Sequence, residues 1–170
     1  MKQNMSHSIK TIAKEAQRIE EDCLYSSKSH YNDAQIWSRM HLYIGIPTCV
    51  FAVIATATIF CNSTLLAGLF SIFVAILSGL QTFINPATKT SLHKEAASQY
   101  HELKNQIRIF REIELFSISD ELTLLKRIKE FSNIRDNLNA SSPPISKKSY
   151  LKAKKGIEQD EANYQIDKSK

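Results

Sequence analysis

Four polar residues lie at the C-terminal end of the most apolar stretch of this sequence, just before Pro86. They are Ser78, Gln81, Thr82 and Asn85. On a helix, spacings of three and four residues place Ser78, Gln81 and Asn85 on one side. An amide in hydrocarbon costs free energy unless it finds a hydrogen-bond partner or water, so two interpretations are open. The four residues line or constrict a pore, or they form hydrogen bonds between helices, with Asn85-Pro86 simply ending one helix.

A second set of residues has the spacing of helix packing in membranes. In the second half of the apolar stretch, small residues recur every four positions at Ala67, Ser71, Ala75 and Gly79. A matching row in the first half is Thr48, Ala52 and Thr56. Small side chains at this spacing let two helix backbones approach closely in lipid. We favour packing of the two halves against each other, and packing between neighbouring copies is the alternative.

The sequence contains no group of residues with the arrangement of an enzyme's active site. Only four glycines are present, so there is no glycine-rich phosphate loop. The histidines are His7, His30, His41, His93 and His101, and the cysteines are Cys23, Cys49 and Cys61. Their spacing fits neither a metal-binding motif nor a disulfide framework. We therefore predict a protein that is not an enzyme and that has no catalytic residues, metal or cofactor.

The element that positions the polar and small residues is an uncharged block. Residues 40–88 contain no Asp, Glu, Lys or Arg, although 23% of the chain is charged. Within the block, residues 42–60 and 65–84 are each long enough, at about 1.5 Å per residue, to cross the roughly 30 Å of hydrocarbon in a bilayer. Only a four-residue turn separates them. We predict a transmembrane hairpin in the lipid bilayer, and we expect its first helix to restart at Pro47 after a kink.

Basic residues flank both ends of the hairpin. Lys28 and Arg39 precede the first span, Lys89 and Lys94 follow the second, and the turn carries no basic residue. The positive-inside rule then places both termini in the cytoplasm. The block is too long and too far from Met1 for a cleaved signal peptide, so we expect a permanent anchor.

Two amphipathic arms adjoin the hairpin. In the first arm a stripe alternates spacings of three and four through Ile9, Ile12, Ala16, Ile19, Cys23, Ser26, His30, Ala34, Trp37 and His41. In the second, helical spacing runs to about Phe116, and another helix starts at the N-cap Ser119 and stops before Pro143. We expect the arms to pack together. The predicted fold is an all-α membrane protein with a transmembrane hairpin and a cytoplasmic bundle of long helices from both termini.

The chain is accordingly divided into four parts, which are an N-terminal helix (1–41), the hairpin (42–85), a helical hairpin (86–140) and a basic tail (141–170). The tail carries Lys147, Lys148, Lys152, Lys154 and Lys155, and we expect a short helix over Tyr150–Ala162. Its lysines could touch anionic lipid headgroups or a nucleic acid. Because acidic residues follow closely and the lysines are not regularly interleaved with aromatic residues, we favour a solvated surface and expect no direct nucleic-acid binding.

The segments DAQIWSRMHLYIGIP, ILSGLQTFINP and HKEAASQYHEL, together with the two closely spaced spans, are similar to the SLATT domain. This is the two-transmembrane effector domain associated with SMODS nucleotidyltransferases and SLOG sensors in prokaryotic conflict systems. The resemblance covers about Ile9 to Ala153. The residues that carry it are Trp37, His41, Gly45, Pro47, Gln81, Pro86, His93, Ala97 and Tyr100.

The resemblance implies an effector of the inner membrane that forms pores or otherwise breaches the membrane when a partner senses infection. A separate sensor or nucleotide-signal-producing protein, encoded nearby, would supply the trigger. Two spans cannot enclose an aqueous path, so a pore requires a homo-oligomer. The alternative function is a non-catalytic membrane adaptor whose arms recruit cytosolic proteins. A phage-type holin is a third hypothesis, for which the long arms are excessive.

Overall fold

The computed structural model describes residues 2–118, 120–162 and 164, with side chains described from Ser8 onward. Every regular element in this part of the chain is helical. The elements are α1 (Lys2–Phe60), α2 (Thr64–Ile84), α3 (Pro86–Ile109), a π-helical turn (Phe110–Glu114), α4 (Leu115–Ser117), α5 (Glu121–Ser141) and α6 (Lys147–Glu158). The prediction of an all-α chain is confirmed.

Two helical stretches are long and apolar enough to cross a membrane, as predicted. One lies in α1, and the other begins with α2. Only 6% of the most apolar window in either stretch is buried. A core helix of a soluble protein would bury most of such a window, because its apolar side chains would face other protein segments. The exposure of these helices therefore agrees with two membrane spans.

The chain divides into two compact units. The first unit comprises Met1–Asp33 and Leu92–Lys170, and the second comprises Ala34–Ser91. In the first unit α1, α3, the π-helical turn, α4 and α5 share one hydrophobic core. Its members are Ile12, Ala16, Ile19, Cys23, Tyr100, Leu103, Ile107, Phe110, Leu115, Leu124, Ile128 and Phe131. The stripe predicted for the N-terminal arm thus supplies four of the core residues.

The helix α1 runs through Pro47 without interruption. The expectation that a helix restarts at this residue is therefore wrong. Proline removes one N–H donor, which leaves the Tyr43 carbonyl without its usual intrahelical partner. Spanning helices tolerate proline because neighbouring groups satisfy the freed backbone, and the adjacent Thr48 hydroxyl donates to the Ile44 carbonyl at 2.7 Å.

The ends of the last two helices differ from the sequence prediction. Asp120 is the N-cap of α5, and its carboxylate accepts from the amides of Leu122 and Thr123; the predicted cap, Ser119, lies outside the described residues. The helix α6 begins three residues before and ends four residues before the predicted bounds. It starts early because the Ser146 hydroxyl accepts from the Ser149 amide at 3.2 Å and caps the helix.

Candidate functional site

The two helices of the hairpin pack through one continuous seam. On α2 the buried and half-buried side chains recur at spacings of three and four, at Ala67, Phe70, Val74, Leu77, Gln81 and Ile84. From α1, the Phe51 ring lies 5.7 Å from the ring of Phe70 and 5.6 Å from that of Phe73. Large apolar side chains therefore take part in the contact between the two helices, together with the buried alanines Ala55 and Ala67.

The small residues singled out in the sequence lie mostly outside this seam. On α2, Ala67 is buried, whereas Ser71, Ala75 and Gly79 are exposed. A Cβ atom added at Gly79 would meet no atom of the described residues within 4 Å. On α1, Thr48 is half-buried, and the remaining members of the row, Ala52 and Thr56, are exposed. Within one chain, the hairpin contact thus includes only part of the predicted packing faces.

The exposed small residues of α2 join with polar residues to form a single face. At about 100° per residue, one sector of roughly 120° around α2 contains only Thr, Ser, Asn, Ala and Gly. Its exposed members, which we call the outer face, are Thr64, Gly68, Ser71, Ala75, Ser78, Gly79, Thr82 and Asn85. This sector extends along the whole length of the second span without one large side chain.

The hydroxyl groups of the outer face are partly satisfied by their own helix. Ser71 Oγ donates to the Ala67 carbonyl at 2.8 Å, and Thr82 Oγ1 donates to the Ser78 carbonyl at 2.9 Å. Such bonds lower the cost of placing a hydroxyl in lipid. The hydroxyl oxygens keep lone pairs that can accept a hydrogen bond from water or from another helix. The outer face is therefore compatible with lipid, with a second helix or with a water-filled path.

Gln81 is set apart from this face, because its amide reaches across the seam to α1. Its Nε2 atom lies 3.3 Å from His41 Nδ1. The amide also lies above Gly45, where an added Cβ would be 3.9 Å from both amide atoms. At that distance the Cβ of an alanine would make an ordinary van der Waals contact with the amide. The contact between Gln81 and His41 is what the second interpretation of the four polar residues, hydrogen bonds between helices, describes.

Asn85 ends the second span. Its backbone is left-handed, with φ 47° and ψ 58°, and its N–H bonds to the Gln81 carbonyl at 3.0 Å. Asparagine is one of the few residues other than glycine that adopt this conformation readily. Its Oδ1 accepts from the Thr88 amide at 3.4 Å and so caps the next helix. One turn further, Lys89 Nζ lies 4.2 Å from the Trp37 ring centroid.

The first unit contains a buried polar cluster that the sequence did not reveal. His30 Nδ1 and His93 Nδ1 lie 3.0 Å apart. The Tyr100 ring stacks on His30, and its hydroxyl donates to Asn139 Oδ1 at 2.6 Å. Burial, with a smaller contribution from His93, lowers the pKa of His30 to about 4, and burial also lowers the pKa of His93. The one sequence signal was that His30 lies on the core-facing stripe.

A second buried polar group, Asp33, holds the start of α6. Its carboxylate accepts from Ser146 N at 2.9 Å, Ser146 Oγ at 2.6 Å and Ser149 Oγ at 2.8 Å. Three donors can compensate the loss of water around a buried carboxylate. No group of three or more metal-ligating side chains occurs in the described part of the chain. The buried side chains of His30, His93 and Asp33 therefore have hydrogen-bond partners within the protein.

Comparison with known proteins gives one match. Neither a curated protein nor a solved structure matches the chain. A family model matches residues 12–168, which is nearly the whole sequence, and agrees with the resemblance seen in its segments. The chain therefore belongs to SLATT family 4, the SMODS and SLOG-associating 2TM effector domain family 4.

Proposed function

We propose that this membrane effector domain of a prokaryotic conflict system assembles through the outer face of α2 and then opens a path across the inner membrane. Family membership supports the effector role. The observation that carries the proposal is the outer face itself, which has small and polar residues along the whole second span and is exposed in the single chain.

The composition of the outer face favours contact between copies. A helix that only anchors a protein in lipid has no need for a sector without large side chains. Small residues let backbones of neighbouring helices approach closely, and the gain in packing drives association in lipid. Two spans per copy do not enclose water, so a ring of several copies is required. In such a ring Ser78, Thr82 and Asn85 supply the polar lining.

Gln81 has a different part in this proposal. Its contact with His41 joins α1 to α2 inside one copy, at the same level as Ser78 and Thr82 on the outer face. Each hairpin can then move as one body. Opening therefore takes place by rearrangement between copies, and a partner protein supplies the trigger. Both termini lie in the cytoplasm, where that partner would act.

The test is a pair of substitutions on α2, one on the outer face and one beside it. Gly79→Leu places a large side chain on the outer face, and Ile76→Leu changes an exposed apolar residue outside it. Both are measured for membrane potential in cells that contain the activated partner, and for oligomer mass in detergent. Gly79→Leu should preserve the potential and reduce the mass, whereas Ile76→Leu should behave like the parent chain. An unchanged potential with the parent chain and a confirmed active partner would contradict the pore.

A membrane adaptor is the second candidate function. It is favoured by three strongly exposed apolar residues around α4 and the start of α5, which are Ile113 at 60%, Phe116 at 80% and Leu122 at 74%. Exposed apolar side chains of this size often mark a protein-binding surface. Replacing residues 42–84 by an unrelated hairpin distinguishes the two functions, because an adaptor retains activity and a pore loses it.

A further inference from the structure

The helix α6 packs through its smallest residues. Ser149, Ala153 and Gly156, spaced by four and three, are its buried residues. Their small size allows a close approach to α1, from which Asn32 Nδ2 donates to the Ser149 carbonyl at 3.1 Å. Together with the hydrogen bonds that Ser146 and Ser149 donate to Asp33, this contact fixes which side of α6 faces outward.

The outward side of α6 is basic with an apolar centre. All five lysines of α6 are exposed, namely Lys147, Lys148, Lys152, Lys154 and Lys155. Helical spacing places Leu151, which is 51% exposed, between Lys147 and Lys155. Lys154 pairs with Glu158 at 3.8 Å. Within the described residues, no carboxylate lies at ion-pair distance from Lys147, Lys148 or Lys155. The fold therefore gathers at least three uncompensated positive charges around one exposed leucine.

This combination matches an anionic membrane surface better than other partners. Lysines attract anionic headgroups, and an apolar side chain among them can enter the boundary between headgroups and acyl chains. The start of α6 is bonded to Asp33, nine residues before Leu42, where the predicted span begins. Nucleic-acid binding would call for aromatic residues for stacking, and the outward side offers only Tyr150, whose ring lies 6.1 Å from that of Tyr25.

We infer that the outward side of α6 binds the headgroups of anionic phospholipids in the membrane that the chain spans. The inference depends on membrane insertion and not on pore formation. It differs from the expectation that these lysines form a solvated surface, which no structural observation contradicts. The bound headgroups hold α6, and through Asp33 also the adjoining part of α1, close to the bilayer.

The test uses the full-length chain in nanodiscs. One set contains phosphatidylcholine alone, and the other contains phosphatidylcholine with phosphatidylglycerol. An amine-reactive reagent followed by mass spectrometry measures the labelling rate of each lysine. Lys147 and Lys148 should react about five-fold more slowly in the anionic discs, as expected for one basic residue near a charged surface. Lys126 and Lys129, which are exposed on α5, should show no difference.

Three outcomes would overturn the inference. The first is equal labelling of Lys147 and Lys148 in both discs. The second is equal protection in phosphatidylcholine discs by soluble glycerol phosphate, which would indicate a site for free phosphate. The third is protection by added DNA alone, which would indicate a nucleic-acid surface.

A matched pair of double variants gives an independent measurement. Lys147→Gln with Lys148→Gln removes two charges from α6, and Lys126→Gln with Lys129→Gln removes two from α5. Native mass spectrometry counts the phosphatidylglycerol molecules that remain bound. The α6 variant should retain fewer than the parent chain, and the α5 variant an equal number. Similar retention in all three proteins would contradict the inference. Neither measurement involves conductance. Failure of the headgroup inference would therefore leave the pore proposal intact.

Discussion

His30 and His93 share one hydrogen bond between their Nδ1 atoms, although 63 positions separate them in the chain. Such a bond requires one Nδ1 that carries a proton and one that does not, so the two rings must not both be charged. The surroundings favour this state. Both pKa values are lowered by burial, and Asp33, whose charge opposes that change, makes a smaller contribution.

We predict that acid destabilises the first unit through this pair. The pKa of His30 is about 4 in the folded chain, against about 6.5 when unfolded, so the unfolded chain binds more protons between these values. The free energy of unfolding should fall by up to about 3 kcal/mol as pH falls from about 6.5 to about 4. Thermal unfolding in detergent, followed by circular dichroism, measures the loss.

The control for this prediction is His30→Asn. Asparagine keeps a polar atom near the position of Nδ1 and does not titrate, so the variant should lose less stability over the same pH range. If parent and variant have the same pH dependence, the histidine pair is not its source.

The hydrogen bond between Gln81 and His41 should stabilise the hairpin by about 1 kcal/mol, the usual size of a polar contact between helices in lipid. Gln81→Leu, His41→Leu and the double variant form a cycle, with unfolding in mixed micelles as the measurement. The two single losses should add up to more than the loss in the double variant. Leu80→Met, at an exposed position, should have no effect. Additive losses would show that the two side chains do not interact.

Asp33→Ala should release α6 from α1. The substitution removes an ionised acceptor from three hydrogen bonds, each typically worth about 1.5 kcal/mol or more. Hydrogen exchange of residues 147–158 should become faster by at least ten-fold, since 1.4 kcal/mol corresponds to a factor of about ten. Asp136→Ala, at an exposed carboxylate, should leave this exchange unchanged. Undiminished protection of α6 in Asp33→Ala would mean that Ser149, Ala153 and Gly156 hold it without the carboxylate.

Two of the three cysteines can report the orientation of the hairpin. Cys61 is exposed in the turn between the spans, whereas Cys23 is buried and its pKa is raised to about 12, chiefly by burial. Thiols react as thiolates, so Cys23 should remain unlabelled in the folded chain. If both termini lie in the cytoplasm, a membrane-impermeant maleimide added to spheroplasts should label Cys61. Cys61→Ser should abolish the signal, and labelling only after lysis would indicate the opposite orientation.

The sequence by itself determined the two apolar spans, the all-helical fold, the core-facing stripe of α1 and the family. These features depend on local composition and on a repeat of 3.6 residues, which a single helix expresses whatever it packs against. For the same reason the sequence located the end of α2 at Asn85-Pro86. It did not predict the continuity of α1 at Pro47, because the neighbouring groups decide whether a spanning helix continues or breaks at a proline.

Only the tertiary structure decided which faces meet. The spacing of Ala67, Ser71, Ala75 and Gly79 is the same whether the partner is α1 or another copy. In the fold, α2 directs Phe70, Val74 and Leu77 toward the seam and leaves the outer face exposed. Likewise, no local pattern brings His30 to His93 or Asp33 to Ser146. Those pairs depend on how distant helices are placed against each other, and a periodic pattern along one helix does not contain that information.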